Sequence, residues 1–175
     1  MAQLIAMATT ITTRFSAARI QGRKPEGKGE FQVLDYQNQQ NGLFPNIAIS
    51  FASFFVGKMM VDIHDEALAA VASGSSFGSK LAELHAVSSG VKAWVAEYVA
   101  NGIEACRRMC GGHGFSQSSN LAHIHNEVVG ANTFEGTLDV LVQQHARYLV
   151  KVMVAAPFKE GNASDESLTG FLGRV

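Results

Sequence analysis

Apolar side chains recur every three or four residues along most of this chain, and that spacing restricts it to helices. Leu4, Ala8, Ile11, Phe15 and Ala18 line one helical face. Leu84, Val87, Val91, Trp94, Tyr98, Ile103 and Cys106 line a second, and Leu138, Leu141, Val142, His145, Leu149 and Val152 a last one. Between the first two, a helix is predicted from near Leu34 to about Ala72. Pro45 has no N–H to donate and should kink that helix or mark a restart. Alternation of β-branched residues never takes over, so no strand is needed. The breaks are QGRKPEGKGE (21–30), SGSSFGS (73–79) and CGGHGFSQSSN (110–120), each rich in residues that favour turns. A short element over about 121–129 follows the last of them. The reading is all-α: four main helices in an up-down four-helix bundle over residues 1–156, with 157–175 as a polar linker or tail.

Composition narrows the function classes. The chain has 175 residues, 47% of them hydrophobic and 17% charged, with a net charge of −1. No basic stripe is present, which argues against nucleic-acid binding. So apolar a chain implies large covered faces, in the core or against partner subunits. The stretch GLFPNIAISFASFFVG (42–57) is the most apolar. Pro45, Asn46, Ser50 and Ser53 interrupt it, and it falls short of the roughly 20 apolar residues a membrane span needs. It reads as a helix buried on most sides of a bundle. Cys106 and Cys110 are four apart, which fits one face of a helix and a reducing compartment rather than a disulfide framework or a zinc knuckle. Residues 1–25 hold Arg14, Arg19, Arg23 and Lys24 without an acid, a composition that resembles a mitochondrial presequence.

Three places could carry chemistry. In ANTFEGTLDVL (131–141), Glu135 lies three residues after Asn132. One reading is a capping box with Asn132 as N-cap. The other is a base dried by Phe134 and its neighbours, since burial raises a carboxylate's pKa and makes it a stronger base. Spacing does not choose between them. In CGGHGF, Gly111, Gly112 and Gly114 permit left-handed torsions and close backbone approach. Consecutive N–H groups there could cradle an anion such as a pyrophosphate, or the glycines could simply cap a helix C-terminus. Arg19, with Gln21, could hold phosphate bidentately or sit solvated at a helix end. His113, His123, His125 and His145 lack acidic or cysteine ligands at metal spacing, so no metal site is assigned.

Taken in order, RFSAARIQG (14–22), VLDYQNQQNGLFP (33–45), CRRMCGGHGFS (106–116) and NTFEGTLDVLVQQHARYLVK (132–151) resemble the C-terminal helical region of the acyl-CoA oxidases, flavoenzymes of peroxisomal β-oxidation related to the acyl-CoA dehydrogenases. The resemblance covers roughly residues 1–155. The pairing of C-G-G-H-G-[FY] with [FY]-E-G about twenty residues later is its most specific part.

What the resemblance implies is concrete. Glu135 matches the catalytic base that takes the α proton of a fatty acyl-CoA, and its backbone N–H would polarise the thioester carbonyl. Gly136 would let substrate and flavin approach without a Cβ in the way. Arg19 matches an arginine on the pyrophosphate of FAD, Gln37 a glutamine at its nucleotide end, and Gly111 and Gly112 the loop along the nucleotide. In such proteins the Arg19, Gln37 and glycine-loop positions serve the flavin of a neighbouring subunit, which implies a homodimer or complementing domains. Arg108 departs from the pattern, and the resemblance assigns it no role. Thr137 stands where oxidases often carry an acid, so a dehydrogenase fragment remains an alternative, as does a catalytically silent helical subunit of a larger complex. The resemblance places residue 1 inside a bundle helix and residue 175 in an inter-domain linker. The chain is therefore expected to be incomplete and inactive alone. It points to the peroxisome, with the mitochondrion as the alternative.

Overall fold

In a computed structural model the chain is described over residues 1–25, 27, 29–74 and 78–155. The expected tail at 157–175 lies outside the described residues. Six α-helices occur among the described residues: α1 (Ala2–Ala18), α2 (Gln37–Ala72), α3 (Gly78–Met109), α4 (Gly111–Phe115), α5 (Leu121–Ala131) and α6 (Leu138–Ala155). The all-α class holds. The described residues of Met1–Val56 with Val95–Glu135 form one compact unit, and those of Gly57–Trp94 with Gly136–Val175 a second.

In the first unit the core is built by Ile5 and Ala8 of α1, Val99, Ile103 and Cys106 of α3, Cys110 just after it, and Leu121, Ile124 and Val128 of α5. Small and hydroxyl residues make α1 a close-packing helix. Thr12 donates to the Ala8 carbonyl at 2.9 Å and shares its hydroxyl with the Cys106 carbonyl at 3.3 Å. Ser16 donates to the Thr12 carbonyl at 2.7 Å. Buried hydroxyls bonded in this way cost no unpaired donor. Gly102 of α3 makes room for side chains of α1 and α2: a Cβ there would stand 2.4 Å from Asn46 Oδ1 and 3.1 Å from Ile5 Cδ1. Residues 1–18, basic and free of acid, are thus a packed core helix of this unit.

Several expectations need correcting. The segment after α1 is not a plain loop. Strands β1 (Ile20–Arg23) and β2 (Glu30–Gln32) pair antiparallel, Ile20 opposite Gln32 and Arg23 opposite Glu30. The pairing is too short for an alternating apolar pattern to register. The helix expected from Leu34 starts at Gln37, after a 3₁₀ turn at Val33–Asp35, and it continues through Pro45 without a restart.

The stretch 42–57 is not buried on most sides. Leu43, Asn46, Ser50 and Ser53 of α2 face inward, while Phe44, Phe51, Phe54 and Phe55 are 53–63% exposed. By length and composition α2 could cross a membrane, with a mean hydropathy of 1.4 over an 18-residue window that is 6% buried in this chain. Its inward face carries the polar residues and its outward face the aromatic ones. Apolar residues occur on both faces of α2, Leu43 and Ala67 inward and the aromatic rings outward, so its sequence does not reveal which face is covered.

The second unit has a small core of Ala67, Leu84, Ala86, Ala93 and Leu141. His145 of α6 places Nδ1 2.8 Å from the Ala86 carbonyl, above Gly90, where a Cβ would meet the imidazole at 2.9 Å. Lys92 donates to the Gly136 carbonyl, and Gln144 bonds the His85 ring.

Candidate functional site

Within the first unit, the end of α1, the hairpin, the start of α2 and the end of α3 line an open cavity of about 700 Å³. Its position follows from how α1 ends. Arg19 leaves the helix with extended torsions (φ −78°, ψ 124°) while its N–H still bonds the Phe15 carbonyl. The Gln32 side chain donates to the Ala17 carbonyl at 2.9 Å, and the Val33 N–H donates to the Arg19 carbonyl at 2.9 Å. These bonds satisfy carbonyls that a helix end leaves orphaned. Tyr36 pins the hairpin by donating to the Gln21 carbonyl at 2.9 Å. Its hydroxyl occupies the place a Cβ on Gly22 would take, 2.0 Å away, and Gly22 has φ +102°.

The far wall is the glycine segment, which is not an open loop. It forms the single helical turn α4, and its three glycines do different work. Gly111 is left-handed (φ +56°), and nothing lies within 4 Å of where a Cβ would stand on Gly111 or Gly112. Gly114 is buried against the end of α3, where a Cβ would come within 1.9 Å of the Arg107 carbonyl oxygen. Gly111 and Gly112 therefore leave room beside the cavity, and Gly114 docks the segment. Phe15 packs on the His113 ring at 5.4 Å between centroids.

Of the residues singled out from sequence, Arg19, Gly111 and Gly112 come together in this lining. Gln37 is exposed at the start of α2 and outside it. The buried amide nearby is Gln39, which lines the cavity and donates to Ser16 Oγ at 2.8 Å and the Met109 carbonyl at 3.1 Å. Gln39 was legible in principle, because it shares a helical face with Leu43, Asn46 and Ser50. Arg108 also lines the cavity, and among the described residues no acid does. Glu104, one turn back on α3, accepts from Arg107 Nε at 2.6 Å and Nη2 at 2.8 Å, and from Arg108 Nε at 2.8 Å. The Arg107 hydrogen bonds, against some opposing burial and with help from Arg108, hold the Glu104 carboxyl down at about 2. Burial pushes the Cys106 thiol up to about 11 and raises Cys110 as well, so neither is a nucleophile at neutral pH.

Glu135 stands apart from the cavity lining. The capping-box reading is overturned: Asn132 is the C-cap of α5, with φ −72° and ψ −16°, and α6 begins only at Leu138. Glu135 lies in the linker with φ +61°, followed by Gly136 at φ +106°. A left-handed non-glycine residue costs about 1 kcal/mol or more and is uncommon outside Asn and Asp. Its side chain is exposed, and no hydrogen bond or ion pair engages its carboxylate among the described residues. Gly136 has no room for a Cβ, which would meet Leu141 Cδ2 at 2.9 Å. Nearby Asn132 Nδ2 donates to Glu97 at 3.2 Å. The drying that the base reading expects from Phe134 is not supplied within the first unit, since Phe134 is itself half exposed.

Residues 1–150 match the family model for the acyl-CoA oxidase C-alpha1 domain. Peroxisomal acyl-coenzyme A oxidase 1 of Homo sapiens is 41% identical over 150 residues, covering 86% of this chain and 22% of the human protein. Acyl-CoA oxidase-1 of Caenorhabditis elegans, whose crystal structure is complexed with FAD and ATP, superposes with a TM-score of 0.89 at 38% identity, over 98% of this chain and 26% of that one. Acyl-CoA oxidase-2 of the same organism, bound with FAD, ascaroside-CoA and ATP, gives 0.83 at 40% identity, over 88% and 23%. The chain spans about a quarter of the length of the relatives it matches.

Proposed function

The chain belongs to the acyl-CoA oxidase family, as its C-alpha1 domain, and from that premise we propose that it supplies the catalytic base and part of the flavin-nucleotide site of an FAD-dependent fatty acyl-CoA oxidase. The observation that carries the reading is the backbone at Glu135. Two consecutive positive φ values set Glu135 and Gly136 apart from both flanking helices, and among the described residues no hydrogen bond or ion pair engages the carboxylate. Strain of that kind persists where a fold needs a side chain in one place. Gly136 keeps the following position free of a side chain.

The cavity suits the nucleotide of FAD. Arg19 presents a guanidinium, the open faces of Gly111 and Gly112 admit a ligand against backbone, and among the described residues the lining holds no acid to repel phosphate. FAD held there would supply the acceptor for the hydride leaving the substrate's β carbon and the route for that electron pair to dioxygen, with hydrogen peroxide as the product. Glu135 takes the α proton, and its N–H polarises the thioester carbonyl, so that the acyl-CoA leaves as the trans-2-enoyl-CoA. Glu135 must be desolvated to act as a strong base, and the cover comes from outside this unit. The aromatic face of α2 supports the same need: complementing domains or a second copy of the chain must cover it. Peroxisomal residence accords with the name of the human relative, and the packing of residues 1–18 into the core argues against their serving as a cleaved presequence.

The test is Glu135→Gln in the assembled oxidase. Turnover of a fatty acyl-CoA should fall about a thousandfold, within the range for loss of a general base, while bound flavin keeps its visible absorption. Peroxide release near the parent rate would end the reading. Peroxide from the parent also separates an oxidase from a dehydrogenase.

A further inference from the structure

Arg108 has no part in the reading above, yet its surroundings are specific. Two arginines from the last turn of α3 share one carboxylate. Arg107 takes Glu104 through two nitrogens and lies outside the cavity. Arg108 uses only Nε, at 2.8 Å from Glu104 Oε1. Its terminal Nη groups carry four N–H donors, and among the described residues nothing accepts from them. The side chain is 75% exposed and stands in the cavity lining with Arg19. Arg107 and Arg108 share the single Glu104 carboxylate, so the group of three keeps one net positive charge. A cavity with two guanidinium groups and, among the described residues, no acid fits a ligand bearing at least two negative charges in a row, and a guanidinium fork matches phosphate oxygens.

We infer that Arg108 is a second phosphate-binding residue of this cavity, oriented by Glu104, and that Arg19 and Arg108 together make it prefer a diphosphate to a monophosphate. The inference rests on the nucleotide reading of the cavity but not on the flavin itself. Glu104 acts as a positioning residue. It fixes the inner edge of the Arg108 guanidinium and leaves the outer edge to the ligand, so less freedom is lost on binding.

The experiment titrates the chain with ADP, AMP and FAD, following the Gly111 and Gly112 amide signals by NMR, where binding as weak as millimolar is visible. The parent should bind ADP about tenfold more tightly than AMP. Arg108→Ala should bring ADP down to the AMP value, leave AMP within about twofold, and leave the melting temperature unchanged, because the residue is exposed. Arg108→Lys should recover part of the preference, since it keeps the charge without the fork. Glu104→Gln should give an intermediate loss. ADP affinity unchanged in Arg108→Ala overturns the inference and leaves the nucleotide reading standing. Binding of ADP without FAD defeats the flavin reading while the Arg108 assignment stands. No shift with ADP at all overturns both.

Discussion

Gly114→Ala is the sharpest test of how the glycine segment is used. A Cβ built on Gly114 would stand 1.9 Å from the Arg107 carbonyl oxygen, 2.9 Å from the Arg107 carbonyl carbon and 3.1 Å from Cys110 Cβ. Two of those three atoms are main chain, so no side chain can swing aside. The carbonyl also accepts the Cys110 N–H at 3.3 Å, and Gly114 itself donates to the Cys110 carbonyl at 3.4 Å. Relief therefore requires α4 to lift off the end of α3, with loss of those bonds and of packing at Cys110. Overpacking by one methyl costs about 1–3 kcal/mol where side chains can yield, and a backbone clash belongs at the top of that range. We expect about 3 kcal/mol, a fall in melting temperature of about 8 °C for a domain of this size. The assay is urea and thermal unfolding followed by far-UV circular dichroism, with Gly112→Ala alongside. Gly112 has open space where its Cβ would stand and an ordinary φ, so that variant should match the parent within about 0.5 kcal/mol. Equal stability of the two variants would refute the claim that Gly114 docks the segment while Gly112 faces the cavity.

Other outcomes follow from the same structure. Glu104 has its folded pKa lowered from the usual 4.5 to about 2. Its contribution is present above pH 4.5 and is lost as the pH falls from there through about 2. Its carboxylate is a quarter exposed, so the contribution is about 1 kcal/mol after solvent screening. Glu104→Gln should lose that amount at pH 7 and flatten the acid limb of a stability-against-pH curve, and a parent-like acid limb in the variant would count against the pairing. Cys106 and Cys110 should resist a disulfide reagent at pH 8 until the chain unfolds, since both are buried and raised above their usual range. Stability should then fall above pH 9, where the unfolded thiols ionise and the folded Cys106 does not until about 11; fast labelling of the folded chain would contradict the packing. Phe51→Gln with Phe55→Gln should leave the melting temperature of the chain unchanged while reducing dye binding and self-association. In the assembled oxidase the same pair should weaken assembly, at about 2 kcal/mol for each ring that is covered there. A large loss of stability in the chain alone would show those rings to be core.

Much of this protein was written locally. Helical periodicity located α1, α3 and α6, because the apolar stripe of each meets its neighbours on one side and the pattern records that directly. Gly and Pro clusters located the breaks, and the motif order pointed to the family before any coordinates. Tertiary structure decided the rest. Asn132 and Glu135 have the spacing of a capping box, but the chain needs a turn there to leave α5. Three glycines in CGGHGF look alike in sequence and differ only in what lies beside them: open space at Gly111 and Gly112, the end of α3 at Gly114. Gln39 rather than Gln37 lines the cavity because the helical face shared with Leu43 turns inward. On α2 the inward face is polar and the aromatic face outward, an inversion that composition cannot show. Local sequence sets torsions and periodicity within a few residues. Which face is covered, and which carboxylate stays unpaired, is set by contacts between residues far apart in the chain.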